Sequence, residues 1–260
     1  MKDKKSVLMK NIISLLVFIA VGSFIACEQK GNRQVNNNNS SDSSSNVGNA
    51  RVASAPPGAT ASLIRNVYIV FDDSGSMGER YRNTTRMAAA KSALETLVQN
   101  APADVNFGLY VLNQGDLISL VAPEKNLDDF RAKLQANRQQ LVEAVRNLRP
   151  SGGTPLGASI AVGAARLAHQ RELQLGYGEF RLVVVTDGES GDDLNYGVDK
   201  AKRERLPIYT IGLATGSDHS LKPHSVSFAE ANEPAQLVKA LKETLAELPD
   251  FTVSDFNEKK

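Results

Sequence analysis

Val67-Tyr68-Ile69-Val70-Phe71 is an unbroken apolar run, too short for a typical globular helix and too continuous for a strand with one wet face. A run of this kind is covered on both sides, as parallel strands inside an α/β sheet are. Leu182-Val183-Val184-Val185 repeats the pattern, and Val105–Leu112 and Ile208–Leu213 are close to it. Helical periodicity fills the intervals. Thr84 or Thr85 can cap a helix with Met87, Ala90, Leu94, Leu97 and Val98 inward, and Pro102 follows as a stop. Leu127, Phe130, Leu134, Leu141, Val145 and Leu148 line one face of a longer helix. Pro155 opens another, with Leu156, Ile160, Ala164 and Leu167 inward. A helix around 192–205, a short strand at Val226–Phe228 and a last helix at 234–248 complete the series. Leu117–Val121 is separated from the strand before it only by Asn113 to Asp116, so these two pair as an antiparallel hairpin. The pattern predicts one α/β domain over 61–250, followed by a tail at 251–260. Its sheet is doubly wound and mostly parallel, with one antiparallel strand and helices on both faces.

The residues before 61 have a different character. Lys2, Lys4, Lys5 and Lys10 precede an uncharged apolar run from Asn11 to Ala26. At about 1.5 Å per residue that run reaches about 24 Å, short of the ~30 Å hydrocarbon core of a bilayer. A basic start, a short apolar stretch and small residues at its end read as an export signal peptide over 1–26. Phe24-Ile25-Ala26-Cys27 resembles the lipobox of bacterial lipoproteins, with Phe24 where that family prefers Leu. The resemblance implies that Cys27, the chain's single cysteine, is lipidated and becomes the mature N-terminus. Glu28 is not the Asp that favours inner-membrane retention in many Gram-negative bacteria. The expected location is therefore the bacterial cell envelope, lipid-anchored, with the outer membrane favoured if the envelope is Gram-negative. Asn, Ser and Gly supply 16 of the 33 residues in 28–60, with no aromatic residue, Leu or Ile. Such a segment cannot bury enough apolar surface to order itself, and residues 27–60 are read as a tether.

The formal net charge is +1, from 30 Lys and Arg against 29 Asp and Glu. It divides into +3 over residues 1–26, +1 over 27–60 and −3 over 61–260. A mildly acidic domain gives no reason to expect a nucleic-acid partner.

Ligands of open α/β sheets bind beyond the carboxyl ends of the strands, where three loops of unusual composition are expected. The first strand runs into Asp72-Asp73-Ser74-Gly75-Ser76, Ser151-Gly152-Gly153-Thr154 precedes the Pro155 helix, and the Val185 strand runs into Thr186-Asp187-Gly188. They supply carboxylates and hydroxyls but neither His nor Cys. Oxygen donors suit a hard cation, Mg²⁺ first and Mn²⁺ or Ca²⁺ next, and disfavour zinc or copper. Neutral hydroxyls leave positive charge on the ion, so an open coordination position would attract a carboxylate.

Asp72-x-Ser74-x-Ser76, the Gly-Gly-Thr154-Pro loop and Thr-Asp187-Gly resemble the metal-ion-dependent adhesion site of von Willebrand factor A-type domains. All three pieces occur in that family's order. The resemblance implies that Ser74 and Ser76 ligate the metal directly and Asp72 and Asp187 directly or through water. Thr154 would join when ligand binds. It also implies a protein partner that presents an Asp or Glu, and it puts the 117–121 strand at a sheet edge.

Duller roles are available to several of these residues. Thr154 is placed to cap the helix that follows it. Asp73, at the variable position of the motif, is expected to face solvent. Glu189, Asp192 and Asp193 could hold a second cation, but Asp192 or Asp193 as a cap of the following helix is the simpler expectation. Arg80, Arg82 and Arg86 either receive an acidic partner or face water, and His169, His219 and His224 are not assigned to a metal. The Gln- and Arg-rich stretch near 131–146 reads as a solvated helix face.

Enzymatic alternatives meet specific obstacles. A haloacid-dehalogenase phosphatase needs Asp-x-Asp, whereas Asp72 and Asp73 are adjacent. A P-loop needs a Lys that Ser151-Gly152-Gly153-Thr154 lacks. A receiver domain needs a phosphoacceptor Asp and a Lys that the 105–121 region and its strand ends do not supply. No histidine lies where a serine hydrolase would use one. A metal-dependent hydrolase or phosphotransfer enzyme, or a scaffold with a degenerate site, remain the alternatives to a non-enzymatic binding module.

Overall fold

The computed structural model describes residues 55–216 and 218–245. The expected leader, the lipidated Cys27, most of the tether and the 251–260 tail lie outside the described residues. The elements run β1 (Arg65–Phe71), β2 (Arg80–Tyr81), β3 (Thr84–Thr85), α1 (Arg86–Asn100), β4 (Val105–Val111), β5 (Gly115–Ile118), α2 (Leu127–Asn147) and α3 (Leu156–Leu173). Then follow β6 (Glu179–Thr186), α4 (Leu194–Arg203), β7 (Ile208–Leu213), β8 (Ser227–Ala231) and α5 (Pro234–Glu243). The main sheet has the order β5-β4-β1-β6-β7-β8, and only the β4–β5 pair is antiparallel. This is the doubly wound architecture expected, with β5 at the edge. Among the described residues no helix is long and apolar enough to cross a membrane.

The apolar run of β1 is buried along its whole length. Its side chains alternate, as a strand's period of two requires. Val67, Ile69 and Phe71 enter a core shared with α1, α2 and α5, whereas Tyr68 and Val70 enter a second core shared with α3 and α4. β6 divides likewise, Val183 and Val185 to the first core and Leu182 and Val184 to the second.

Small residues set the closest approaches. A Cβ on Gly108 of β4 would sit 2.3 Å from the Tyr68 ring, so the missing side chain makes room for that ring. The Tyr68 hydroxyl then donates to Asp116 Oδ1 at 2.8 Å, and Arg166 Nε donates to Asp116 Oδ2 at 2.7 Å. Burial pushes the Tyr68 phenol above its ordinary range, reinforced by Asp116. Between α3 and α4, a Cβ on Gly157 would meet the Asp193 carbonyl oxygen at 2.0 Å.

Several boundaries differ from the sequence reading, each for a local reason. β5 starts at Gly115 and ends at Ile118, so residues 119–121 leave the ladder. The buried Asn106 side chain holds Val121 instead, accepting from its N–H at 3.0 Å and donating to its carbonyl at 2.9 Å. Leu127 is exposed because it is the first residue of α2, whose first turn, with Asp128 and Asp129, lies in solvent. The short Val226–Phe228 strand becomes Ser227–Ala231, paired in parallel with β7, and Val226 is exposed. The 131–146 face is not uniformly solvated. Arg138 is half-buried, donates to the carbonyls of Ala101, Pro102 and Val105, and lies over the Phe107 ring. Thr85 caps α1 as expected, accepting from the Ala88 N–H at 3.1 Å.

Gly157→Ala tests the α3–α4 approach. The added methyl meets backbone and cannot be absorbed by a rotamer change, so stability should fall by about 1–3 kcal/mol in chemical denaturation.

Candidate metal centre

β1 pairs with β4 on one side and β6 on the other, with Phe71 opposite both Val111 and Val185. The three parallel strands therefore end nearly flush. Connections leave β1 towards β4 and return to β6 on its other side, which makes this the switch point of the sheet, where α/β folds bind ligands. The Asp72 N–H donates to the Val185 carbonyl at 2.9 Å, extending the ladder one residue past β1. The chain then turns into a short 3₁₀ segment, Gly75–Gly78.

Four of the five candidate ligands join one hydrogen-bonded chain. Asp72 is fully buried; its Oδ1 accepts from the Ser74 N–H at 2.8 Å and its Oδ2 from the Thr186 hydroxyl at 2.7 Å. Ser74 Oγ lies 3.1 Å from Ser76 Oγ, and the Ser76 hydroxyl donates to Asp187 Oδ1 at 2.8 Å. With the single Ser76 proton spent on Asp187, the proton between the serines comes from Ser74. Burial pushes the Asp72 carboxyl above the usual carboxylate range, against the hydrogen bonds from Ser74 and Thr186, and the nearby Asp187 charge adds to the rise.

Thr154 arrives from the loop before α3 and is fixed through backbone. The Gly75 N–H donates to the Gly152 carbonyl at 3.2 Å, and the Gly191 N–H donates to the Thr154 carbonyl at 2.7 Å. That loop is thereby tied to both of the others. Thr154 does not cap α3: its side chain makes no hydrogen bond among the described residues, and Pro155 occupies the cap position. Asp192 supplies the cap from the β6–α4 loop, accepting from the Gly157 and Ala158 N–H groups at 2.8 Å each. Desolvation pulls the Asp192 carboxyl upward, but hydrogen bonds from Ser190, Ala158 and Gly157 prevail and hold it below its usual range. Freed of capping, the Thr154 hydroxyl is available as a ligand.

Other expectations are corrected here. Asp73 does not face solvent but is fully buried. Its Oδ1 accepts from the Asn113 N–H at 2.9 Å and the Asn113 Nδ2 at 2.8 Å, and its Oδ2 accepts from Gln114 Nε2 at 3.0 Å. Asn113 Nδ2 also donates to the Ser151 and Gly153 carbonyls at 2.8 and 2.9 Å. Gly152 is at φ +71°, and a Cβ there would lie 2.3 Å from Asn113 Oδ1. Asp73 and Asn113 thus clamp the loop that carries Thr154. Asp193 caps α4 through the Asn195 N–H at 3.1 Å. Glu189 is exposed, and its carboxylate accepts from the Ser220 N–H and hydroxyl. All three acids proposed for a second cation are thus engaged by protein donors.

Two further residues brace Asp187. Arg86 does not face water: its Nη1 donates to Asp187 Oδ2 at 2.9 Å and lies 3.1 Å from Glu79 Oε2. His219 is buried, and its Nδ1 accepts from the Leu221 N–H at 3.1 Å. That leaves Nε2 to donate to the Gly188 carbonyl at 2.8 Å, beside Asp187 in the chain.

The donors fit a small hard cation. An octahedral Mg²⁺ with ligands at ~2.1 Å places neighbouring oxygens ~3 Å apart. The gaps of 3.1 Å from Ser74 to Ser76 and 2.8 Å from Ser76 to Asp187 match that edge length. No group of three or more His, Cys, Asp or Glu side chains gathers for a metal among the described residues, so any site here depends on the hydroxyls.

The sequence profile of the von Willebrand factor type A domain matches residues 66–258. The chain belongs to that family. Human collagen alpha-6(VI) chain is 24% identical over 158 residues, which is 60% of this chain and 6% of that protein. Among solved structures, the pilus adhesin SpaC of Lactobacillus rhamnosus GG superposes with TM-score 0.54 at 15% identity, over 72% of this chain and 31% of that one. Proximal thread matrix protein 1 of the mussel byssus, solved with a zinc-occupied metal-ion-dependent adhesion motif, gives TM-score 0.51 at 18% identity, over 72% and 48%. The chain spans well under two thirds of each of these proteins. At such identities the structural likeness establishes the fold of this von Willebrand factor A-type domain.

Asn113→Ala should loosen the Thr154 loop and leave the buried Asp73 carboxylate short of donors. The expected result is a loss of about 1–3 kcal/mol in denaturant unfolding, with faster amide exchange confined first to 151–154.

Proposed function

We propose that this protein is an exported, lipid-anchored interaction module that captures an acidic side chain of a protein partner through a divalent cation. Ser74, Ser76, Thr154, Asp72 and Asp187 hold the cation, with Mg²⁺ first and Mn²⁺ or Ca²⁺ as alternatives. The reading rests above all on the Ser74–Ser76–Asp187 oxygen spacing, which matches the edges of a small octahedral shell. Family membership supports it, as does the occupied motif of the mussel protein. Zinc in that relative also tempers the expectation against zinc: one donor set accepts several divalent ions, and availability decides among them. When bound, the ion supplies a Lewis-acidic positive charge to which a carboxylate can add.

The rest of the site suits binding rather than turnover. Both oxygens of Asp72 are held, by Ser74 and Thr186, and both of Asp187, by Ser76 and Arg86. A carboxylate so restrained is a poor candidate for moving protons on and off a substrate. The Thr154 hydroxyl is uncommitted, and its loop is tied to both neighbouring loops, so a change at the site reaches α3. Cys27 and the segment behind it would carry the domain at the envelope surface.

Calorimetric titration of the domain with Mg²⁺ or Mn²⁺ should show one ion bound. Asp72→Ala or Ser74→Ala should weaken that binding by ~100-fold or more while the far-ultraviolet spectrum stays unchanged. Undiminished affinity in folded variants would contradict the proposed site.

A further inference from the structure

We infer that residues 246–260 fold back into the groove between α1 and α2, setting their phenylalanines against its apolar part and their acids against the arginines of α2. The groove measures about 810 Å³, the size of a ligand cleft rather than of a packing defect. Val98 near the end of α1, Ala103 in the loop after it and Val142 of α2 line its apolar part. Val98 is buried in the first core and Val142 packs against that core, so the groove opens directly onto it. Arg131, Arg138 and Arg146 stand along the α2 side, with Glu143 as the acid among the lining residues.

The charges around the groove are unequally matched. Glu95 holds Arg146 at 2.9 and 3.1 Å, and the exposed Asp128 lies 3.7 Å from Arg131. Arg138 has no ion pair among the described residues. It donates to the carbonyls of Ala101, Pro102 and Val105, which carry no charge to balance its own. Asp104 attracts it, but that carboxylate is gripped by Arg65 at 2.8 and 3.1 Å. A half-buried cation is thus left to an acid from outside the described residues.

Position, length and chemistry point to one occupant. The described chain stops at Leu245, whose carbonyl accepts from Arg65 Nη1 at 3.5 Å. Arg65 holds Asp104, the neighbour of Ala103 in the groove lining, so the next residues emerge at the mouth of the groove. The 15 residues from 246 to 260 reach about 50 Å when extended, and the α2 stretch from Arg131 to Arg146 is about 22 Å long. Glu247, Asp250, Asp255 and Glu258 precede any basic residue of the segment, Lys259 being the first. Phe251, Val253 and Phe256 stand among those acids. Acids and aromatic groups together complement a basic groove with an apolar bed, and such charge matching fixes which surface a segment chooses. No metal is required for this contact.

The chain has no tryptophan, so Phe251→Trp in the full chain gives a single reporter. Its emission should be blue-shifted, and acrylamide should quench it several-fold less than the same indole in a free peptide of residues 246–260. A segment joined to the domain meets the groove at an effective concentration in the millimolar range, so both effects should persist on dilution. Combining the reporter with Arg131→Glu, Gln135→Glu and Gln139→Glu, all exposed positions on α2, should return emission and quenching to the free-peptide values with the far-ultraviolet spectrum unchanged. Asp250→Lys with Asp255→Lys should do the same through the segment alone, should the α2 variant fail to fold. Free-peptide emission from the reporter in the otherwise wild-type chain overturns the inference. So does a blue shift that survives in either folded charge variant, since the segment then packs elsewhere. A blue shift lost on dilution assigns the groove to a second copy of the chain and overturns it as well.

Discussion

The parallel pairing of β1 between β4 and β6 is the constraint on which the site depends. Because Phe71 lies opposite Val111 and Val185, Asp72, Leu112 and Thr186 leave the sheet at nearly one level. The two buried cores hold that register, since a slip of one residue would exchange the side chains facing α1 with those facing α3. With the strand ends fixed, Asp72 reaches the Thr186 hydroxyl, and Ser76 reaches Asp187, 111 residues away in sequence, with no further device.

What the scaffold gathers is an unusually committed set of polar groups. Buried carboxylates are expensive unless hydrogen-bonded, and each of Asp72, Asp73 and Asp187 has two or more donors. The three acids play different parts. Asp72 and Asp187 face the hydroxyls, whereas Asp73 turns away and locks the loop that presents Thr154. Asp192 does comparable work by capping α3 from a distant loop, which spares Thr154 that task. Thr154 is left as the one uncommitted hydroxyl of the set.

Much of this was legible in the sequence because parallel strands and helix faces announce themselves locally. The run Val67–Phe71 identified a strand covered on both faces, and the Thr85 cap marked the start of α1. The five ligand candidates stood out because each lies at a strand end or just before a helix. The residues whose roles escaped notice act through partners far along the chain. Asp73 is defined by Asn113, 40 residues on, Arg86 by Asp187, 101 residues on, and Asp192 by Gly157, 35 residues back. A charged or amide residue in a loop carries no local sign of such a partner. The end of β5 was hidden likewise, because the Asn106 side chain replaces the ladder at Val121.

Diffraction from a crystal of the domain soaked in Mn²⁺, collected at a wavelength where manganese scatters anomalously, tests the central claim most directly. The account predicts a single strong peak within ~2.3 Å of both Ser74 Oγ and Ser76 Oγ, with Asp72 and Asp187 bound directly or through water. A peak elsewhere, or none while Ser74, Ser76 and Asp187 keep the positions described above, would contradict it.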